Sequence, residues 1–291
     1  MTGICHDRVV VVTGAGQGLG REHALALAAE GARVVVNDLG DAAGSVAEEI
    51  RAAGGTAVAD TGDASDWAYA EALVGRAVEE FGTLDALVNN AGINRDRMLV
   101  SMTEEEWDLV LKVDLKGHFA PLRHAAAYWR ERSKQGGAVA ARVVNTTSGA
   151  GLMGSVGQGN YGAAKAGVAA LTQIAAAELA RYGVTVNAIA PAARTPMTEA
   201  VFAERMRAPE TGFDAMHPGN VSPLVVWLAS ADSADVTGRV FEAEGGVIAV
   251  ADGWQHGSRA ERDHRWPPSA VGPAVRELIA RSPVPAPVYG A

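Results

Sequence analysis

Short β-branched runs alternating with longer Ala/Leu/Glu-rich stretches constrain this chain more than any other feature. Val9–Val12, Arg33–Asn37, Thr56–Ala59, Ala86–Asn89, Arg142–Thr146, Val184–Ile189 and Gly238–Glu242 read as strands. Most are nearly unbroken hydrophobic runs, as parallel strands covered on both faces must be. Between them, Leu19–Glu30, Ala42–Ala53, Trp67–Phe81, Glu104–Arg132, Tyr161–Tyr182 and Val221–Ala229 carry helical periodicity. Repeated strand–helix alternation requires right-handed crossovers and predicts one doubly wound α/β sheet. With 48% hydrophobic residues over 291 positions, the chain can cover such a sheet on both sides. One domain is expected over residues 1–253, with a tail over 254–291. In that tail Trp266-Pro267-Pro268 and Pro283–Pro287 interrupt regular structure, and one short helix is expected near Val275–Ala280.

Charge and composition remove several functions. A formal charge of -9 argues against a nucleic-acid partner, which needs clustered Lys and Arg. Cys5 is the single cysteine, so neither an intrachain disulfide nor a Cys-rich metal site is available. The seven histidines form no HExxH and no cluster, and no metal is expected. There is no basic segment followed by an apolar leader, and no run near the ~18 apolar residues that span a bilayer. The expectation is a cytoplasmic chain with no membrane partner.

After the first strand comes Thr13-Gly14-Ala15-Gly16-Gln17-Gly18-Leu19-Gly20, leading directly into a helix. Glycines let the backbone turn tightly and approach a pyrophosphate held on the free N–H groups of the helix N-terminus. Gly14, Gln17, Gly18, Leu19 and Gly20 are therefore cofactor-binding candidates, and the domain reads as a Rossmann-type sheet. The second strand ends at Asn37-Asp38-Leu39-Gly40. A carboxylate there accepts from ribose hydroxyls and repels a 2′-phosphate, and Gln17 brings no positive charge to offset it, so NAD is favoured. Asp63, after the third strand, is placed to meet the adenine edge. The fourth strand ends in Asn89-Asn90-Ala91-Gly92; Asn90, Ala91 and Gly92 would let the backbone pass close to the cofactor, the amides tying strand ends together.

A second constellation follows the fifth strand. Thr146-Thr147-Ser148 lies at its carboxyl end, the edge where doubly wound sheets bind ligands. Tyr161-Gly162-Ala163-Ala164-Lys165 opens the next long helix, with Tyr161 and Lys165 on one face. A hydroxyl, a phenol and an ammonium can thus converge on one carbonyl oxygen. A phenol of pKa about 10 transfers protons poorly near neutrality. A lysine charge at roughly 4 Å, with an effective dielectric of about 20, would favour the phenolate by up to about 4 kcal/mol. That is about three pKa units, which would make Tyr161 usable near pH 7. The positive charge of oxidised nicotinamide pushes the same way.

Together the Thr13–Gly20 turn, Asn89-Asn90-Ala91-Gly92, Ser148 and Tyr161-x-x-x-Lys165 resemble the short-chain dehydrogenase/reductase family over roughly residues 7–253. The resemblance implies a seven-stranded parallel sheet and a homodimer or homotetramer. It also implies Tyr161 as acid/base, Lys165 bonding the nicotinamide ribose and Ser148 polarising the substrate. Ala91–Arg97, Gly157–Tyr161 and Pro223–Leu228 are similar to the (3R)-hydroxyacyl-CoA dehydrogenase unit of peroxisomal multifunctional enzyme type 2. They are also similar to the related bacterial 3-oxoacyl reductases. A 3-hydroxyacyl/3-oxoacyl-CoA thioester is the substrate this suggests. The same chemistry on a free steroid, terpenoid or other small alcohol is the alternative, and a catalytically silent NAD-binding sensor is the alternative from another class.

Two positions depart from the family pattern. Many members carry an asparagine, thought to hold a relay water, where this chain has Asp114; a carboxylate there could serve the same water or pair with Lys165. The usual Pro-Gly after strand six is Pro191-Ala192, followed by Ala193-Arg194-Thr195, with Thr195 the candidate for touching the nicotinamide carboxamide. Residues 198–219 read as the substrate-covering segment.

Overall fold

The computed structural model describes residues 3–199, 204, 206–251 and 253–290. Residues 200–203 and 205 of the expected substrate-covering segment lie outside the described residues, as do both ends of the chain and position 252. The strands are β1 Val9–Val12, β2 Arg33–Asp38, β3 Thr56–Thr61, β4 Ala86–Asn89, β5 Ala141–Thr146, β6 Val184–Ala192, β7 Val240–Glu244 and β8 Val247–Ala251. They form one sheet in the order β3-β2-β1-β4-β5-β6-β7-β8. The chain reverses direction across the sheet between β1 and β4, which opens a crevice at their carboxyl ends.

The expected seven parallel strands are present, and β8 is an eighth. It pairs antiparallel on the outer edge of β7, with Val240 opposite Ala251. Gly245-Gly246 between two apolar runs is a hairpin signal that the sequence reading passed over.

The helices are α1 Gly18–Ala29, α2 Ala42–Ala52, α3 Trp67–Phe81, α4 Glu104–Val110, α5 Gly117–Lys134, α6 Gly149–Met153, α7 Gly159–Leu179, α8 Pro196–Glu199, α9 Ser222–Ala229 and α10 Pro268–Ala280. Helical layers explain why β1 is four consecutive valines. Val10 and Val12 point into one buried cluster with residues of α1, α2 and α9. Val9 and Val11 point into the other, with residues of α3, α5 and α7. Neither face of the strand meets water, so neither face has a polar position. Among the described residues no helix is long and apolar enough to cross a membrane.

The single helix expected over Glu104–Arg132 is interrupted. A π-helical turn, Leu111–Lys116, separates α4 from α5 and carries Asp114 inward. Such turns shift the helical register by one residue, and they concentrate at functional sites. The second half, α5, anchors on Trp129, which is 1% exposed and donates its indole N–H to the Leu84 carbonyl at 2.7 Å. Trp129→Ala is expected to cost about 3–5 kcal/mol of stability, read as a lower midpoint in urea unfolding.

Candidate active site

The β1–α1 turn is built to approach its neighbours closely. Gly14 has φ +61°, and a Cβ there would lie 2.7 Å from the Ala91 Cα. At Gly20 a Cβ would lie 2.1 Å from the Gly14 carbonyl oxygen. Thr13, which the sequence reading did not single out, locks the turn to the end of β4. Its hydroxyl accepts from the N–H of Asn90 at 3.0 Å and of Ala91 at 3.2 Å. Asn90 Nδ2 returns hydrogen bonds to the carbonyls of Thr13 and Gly14. At the start of α1, Gln17 places no side-chain cap on the free N–H groups. Those donors and the glycine-cleared space suit a pyrophosphate.

Asp38 is the last residue of β2; its Oδ2 accepts from Gly16 N at 2.8 Å, which holds the carboxylate against the turn. Asp63 is less available than its position suggested. Its carboxylate pairs with Lys112 at 3.0 Å and accepts from both the N–H and the hydroxyl of Ser65. Partial burial opposes its ionisation, but Ser65 and Lys112 prevail and hold its pKa below the ordinary value. Thr195 packs across from Gly18, its Cγ2 3.4 Å from where a Cβ would stand.

Gly14, Gln17, Gly18, Leu19, Gly20, Asp38, Asp63, Asn90, Ala91, Gly92 and Thr195 all border one cleft of about 510 Å³, as do Tyr161 and Lys165. Ser148 and Asp114 do not border it. A larger hollow of about 570 Å³ lies between α5 and α7 and contains none of these residues.

At the cleft's inner end, Lys165 and Tyr161 face each other from the first two turns of α7. Lys165 Nζ lies 5.6 Å from the centre of the Tyr161 ring. The Ser148 hydroxyl reaches the Tyr161 phenol and caps α6 by accepting from Ala150 N at 3.2 Å. Lys165 is buried, donating to the Thr146 carbonyl at 3.0 Å. Asn160, also buried and not anticipated, fixes the start of α7. It donates to the carbonyls of Arg95 and Glu106 and accepts from Tyr161 N at 2.8 Å.

Asp114 turns out to be the partner of Lys165. The π turn brings its Oδ2 to 3.4 Å from Nζ, with both side chains almost wholly excluded from solvent. Its Oδ1 accepts from Ile93 N at 2.7 Å. Burial pushes the carboxyl upward in pKa, opposed by Lys165 and the Ile93 N–H. One turn further, His118 is fully buried, and burial followed by the Lys165 charge keeps its imidazole well below the ordinary pKa.

This corrects the expected proton balance. Against a free phenol, the field of Lys165 alone would lower the pKa. In the structure the Tyr161 phenol is raised, because burial outweighs Lys165 and the Ser148 hydrogen bond, and the charges of Asp114 and Asp96 push further upward. The lysine field is real but is shared with a carboxylate that sequence spacing alone did not place.

The short chain dehydrogenase family model matches residues 8–206 of this chain. Hydroxyacyl-CoA dehydrogenase ChsB1 of Mycobacterium tuberculosis is 48% identical over 282 residues, covering 94% of this chain and 89% of that protein. Peroxisomal multifunctional enzyme type 2 of Mus musculus is 41% identical over 83% of this chain, which spans only 32% of that longer enzyme. A crystal structure of a short chain dehydrogenase from Mycobacterium avium superposes with a TM-score of 0.92 at 60% identity, covering 99% of this chain and all of that one.

Proposed function

Because the chain belongs to the short-chain dehydrogenase family, we propose that it interconverts a 3-hydroxyacyl-CoA and a 3-oxoacyl-CoA, using NAD. Membership itself makes it an NAD(P)-dependent dehydrogenase acting on CH–OH groups. The thioester reading is supported by the likeness to a hydroxyacyl-CoA dehydrogenase over most of both chains. The observation that carries the reading is the pairing of Tyr161 and Lys165 at the inner end of a cleft whose outer part suits a dinucleotide, with the Ser148 hydroxyl on the Tyr161 phenol.

The residues divide the work by position. Gly14, Gln17, Gly18, Leu19 and Gly20 would hold the pyrophosphate and Asp38 the adenosine ribose. Lys165 would hold the nicotinamide ribose, and Thr195 the carboxamide. Nicotinamide held there would supply the hydride in reduction and accept it in oxidation. Tyr161 gives its phenolic proton to the ketone oxygen in reduction and takes it from the alcohol in oxidation. Ser148 donates to the same oxygen and fixes which carbon faces the cofactor. Lys165 stabilises the phenolate by its charge, and Asp114 holds Lys165 in place while weakening that charge.

The last point predicts a pH effect with a definite sign. Around the Tyr161 phenol stand Lys165, Ser148, Asp114 and Asp96, and the neutral His118 feels the Lys165 charge. Asp114 raises the phenol, so Asp114→Asn should lower its pKa while keeping an acceptor for Ile93 N. Alcohol oxidation needs the phenolate, so the acidic limb of its kcat/KM profile should move to lower pH in an enzyme that remains active. An unmoved limb would show that Asp114 and Tyr161 are not coupled, and complete loss of activity would show that the carboxylate itself is required. The function as a whole is tested by initial rates of NADH and NADPH oxidation with acetoacetyl-CoA and longer 3-oxoacyl-CoAs. Turnover of steroid or terpenoid ketones but no thioester would overturn the substrate reading, and NADH binding without turnover of any carbonyl would overturn the enzymatic one.

A further inference from the structure

The end of the chain comes back to the active site. After β8 the chain runs out through an exposed stretch and α10, which buries none of its residues. It then returns at Val288–Gly290 to the loop that joins α6 to α7. Ser155 and Tyr289 form a parallel bridge; Val156 N donates to the Tyr289 carbonyl at 2.9 Å, and Tyr289 N donates to the Gly154 carbonyl at 3.2 Å. The Tyr289 ring lies over Gly149, the residue that follows Ser148. A Cβ on Gly149 would stand 3.0 Å from the ring's Cε2 and 3.1 Å from its hydroxyl oxygen. Val288 lies over Gly154 in the same way, at 3.4 Å.

Tyr289 thus stands over the residue that follows Ser148, and it is not among the residues that border the cofactor cleft. Around it, Met153, Val156 and Val288 leave apolar surface open to solvent. Across the loop, Arg97 bridges to Gln158, and the exposed Met98, Leu99 and Val100 continue that apolar rim. An acyl chain is the kind of group such a rim would hold, since exposed apolar surface gathered around a polar centre marks a binding site. Fold stability gives the tail little reason to come back. The segment before the dock contributes nothing buried through α10, and ordering a long loop carries an entropic cost.

We propose that Tyr289 is a specificity-determining residue: the docked segment Val288–Gly290 forms one wall of the carbonyl-substrate pocket, with the Tyr289 ring against the substrate chain beside Ser148. This rests on the reading of Ser148 as the group that holds the substrate oxygen. The wall would be absent from a chain truncated after Pro287, and a phenylalanine would preserve it.

The test is steady-state kinetics of the full-length enzyme with acetoacetyl-CoA, a long-chain 3-oxoacyl-CoA and ethyl acetoacetate, an oxo-ester with no CoA. Tyr289→Ala and truncation after Pro287 should each raise KM for the long-chain substrate by about fivefold or more, with kcat, KM for NADH and the melting temperature little changed. Tyr289→Phe should restore the wild-type KM. An unchanged long-chain KM in both variants would overturn the proposal, as would a parallel rise in KM for NADH, which would mean a general disturbance of the site. If the wild-type enzyme reduces the oxo-ester but no thioester, the acyl-CoA reading fails while Tyr289 is judged by its effect on the oxo-ester KM. Turnover of neither overturns the site reading and this proposal with it.

Discussion

Tyr161→Phe is expected to lower kcat by about two to four orders of magnitude, the usual range for loss of a positioned acid/base. The dissociation constant for NADH should stay within about twofold of wild type, because the change deletes one oxygen at the inner end of the cleft. Nothing nearby can take over the proton. Ser148 is a hydroxyl already engaged with α6 and with the phenol; Lys165 is committed to Asp114 and to the Thr146 carbonyl; His118 is buried and held neutral. The fold should be unaffected, since the ring is retained and the buried start of α7 is fixed through Asn160, not through the phenol. Rapid-mixing measurement of NADH oxidation, with fluorescence titration of NADH, separates the two quantities. Near-normal turnover in this variant would exclude Tyr161 as the acid/base.

The second large effect is on cofactor choice. The wild-type chain is expected to prefer NADH over NADPH by about a hundredfold or more in kcat/KM, and Asp38→Asn to remove most of that preference. Two opposite-sign or like-sign unit charges about 4 Å apart interact by about 4 kcal/mol at an effective dielectric of about 20, and screening at a cleft mouth reduces this. A 2′-phosphate brought to the end of β2 would meet the Asp38 carboxylate, with no cation in the glycine turn to offset it. Asparagine is the informative replacement because it removes the charge yet keeps an acceptor for Gly16 N, so the turn should keep its shape. A similar NADH/NADPH ratio in wild type and variant would show that selectivity is set elsewhere.

Much of the candidate site is legible in the sequence. The glycine turn, the end of β2 and the Tyr161-x-x-x-Lys165 spacing each depend on local geometry, whether a tight turn, a strand end or one helical face. Sequence distance translates directly into spatial distance there, and every cofactor-end residue read from the chain borders the same cleft. Thr13 and Asn160 escaped notice because a threonine or asparagine beside a turn is an ordinary occurrence. Only its partners, just after β4 and on the residues before and within α4, reveal what it holds. The Gly245-Gly246 hairpin is a local signal of the same kind.

What the sequence by itself determined is the layered architecture and which residues are candidates for the reacting groups, since hydrophobic period and helical spacing are properties of neighbours along the chain. Only the tertiary structure decided how the charges balance and what lies over the residue that follows Ser148. A π turn delivers Asp114 to Lys165 across two helices, burial raises Tyr161 against the lysine's pull, and Val288–Gly290 lays the Tyr289 ring over Gly149. Electrostatic energy depends on distance in space and on the surrounding solvent, and neither is fixed by position in the sequence once the groups lie on different elements.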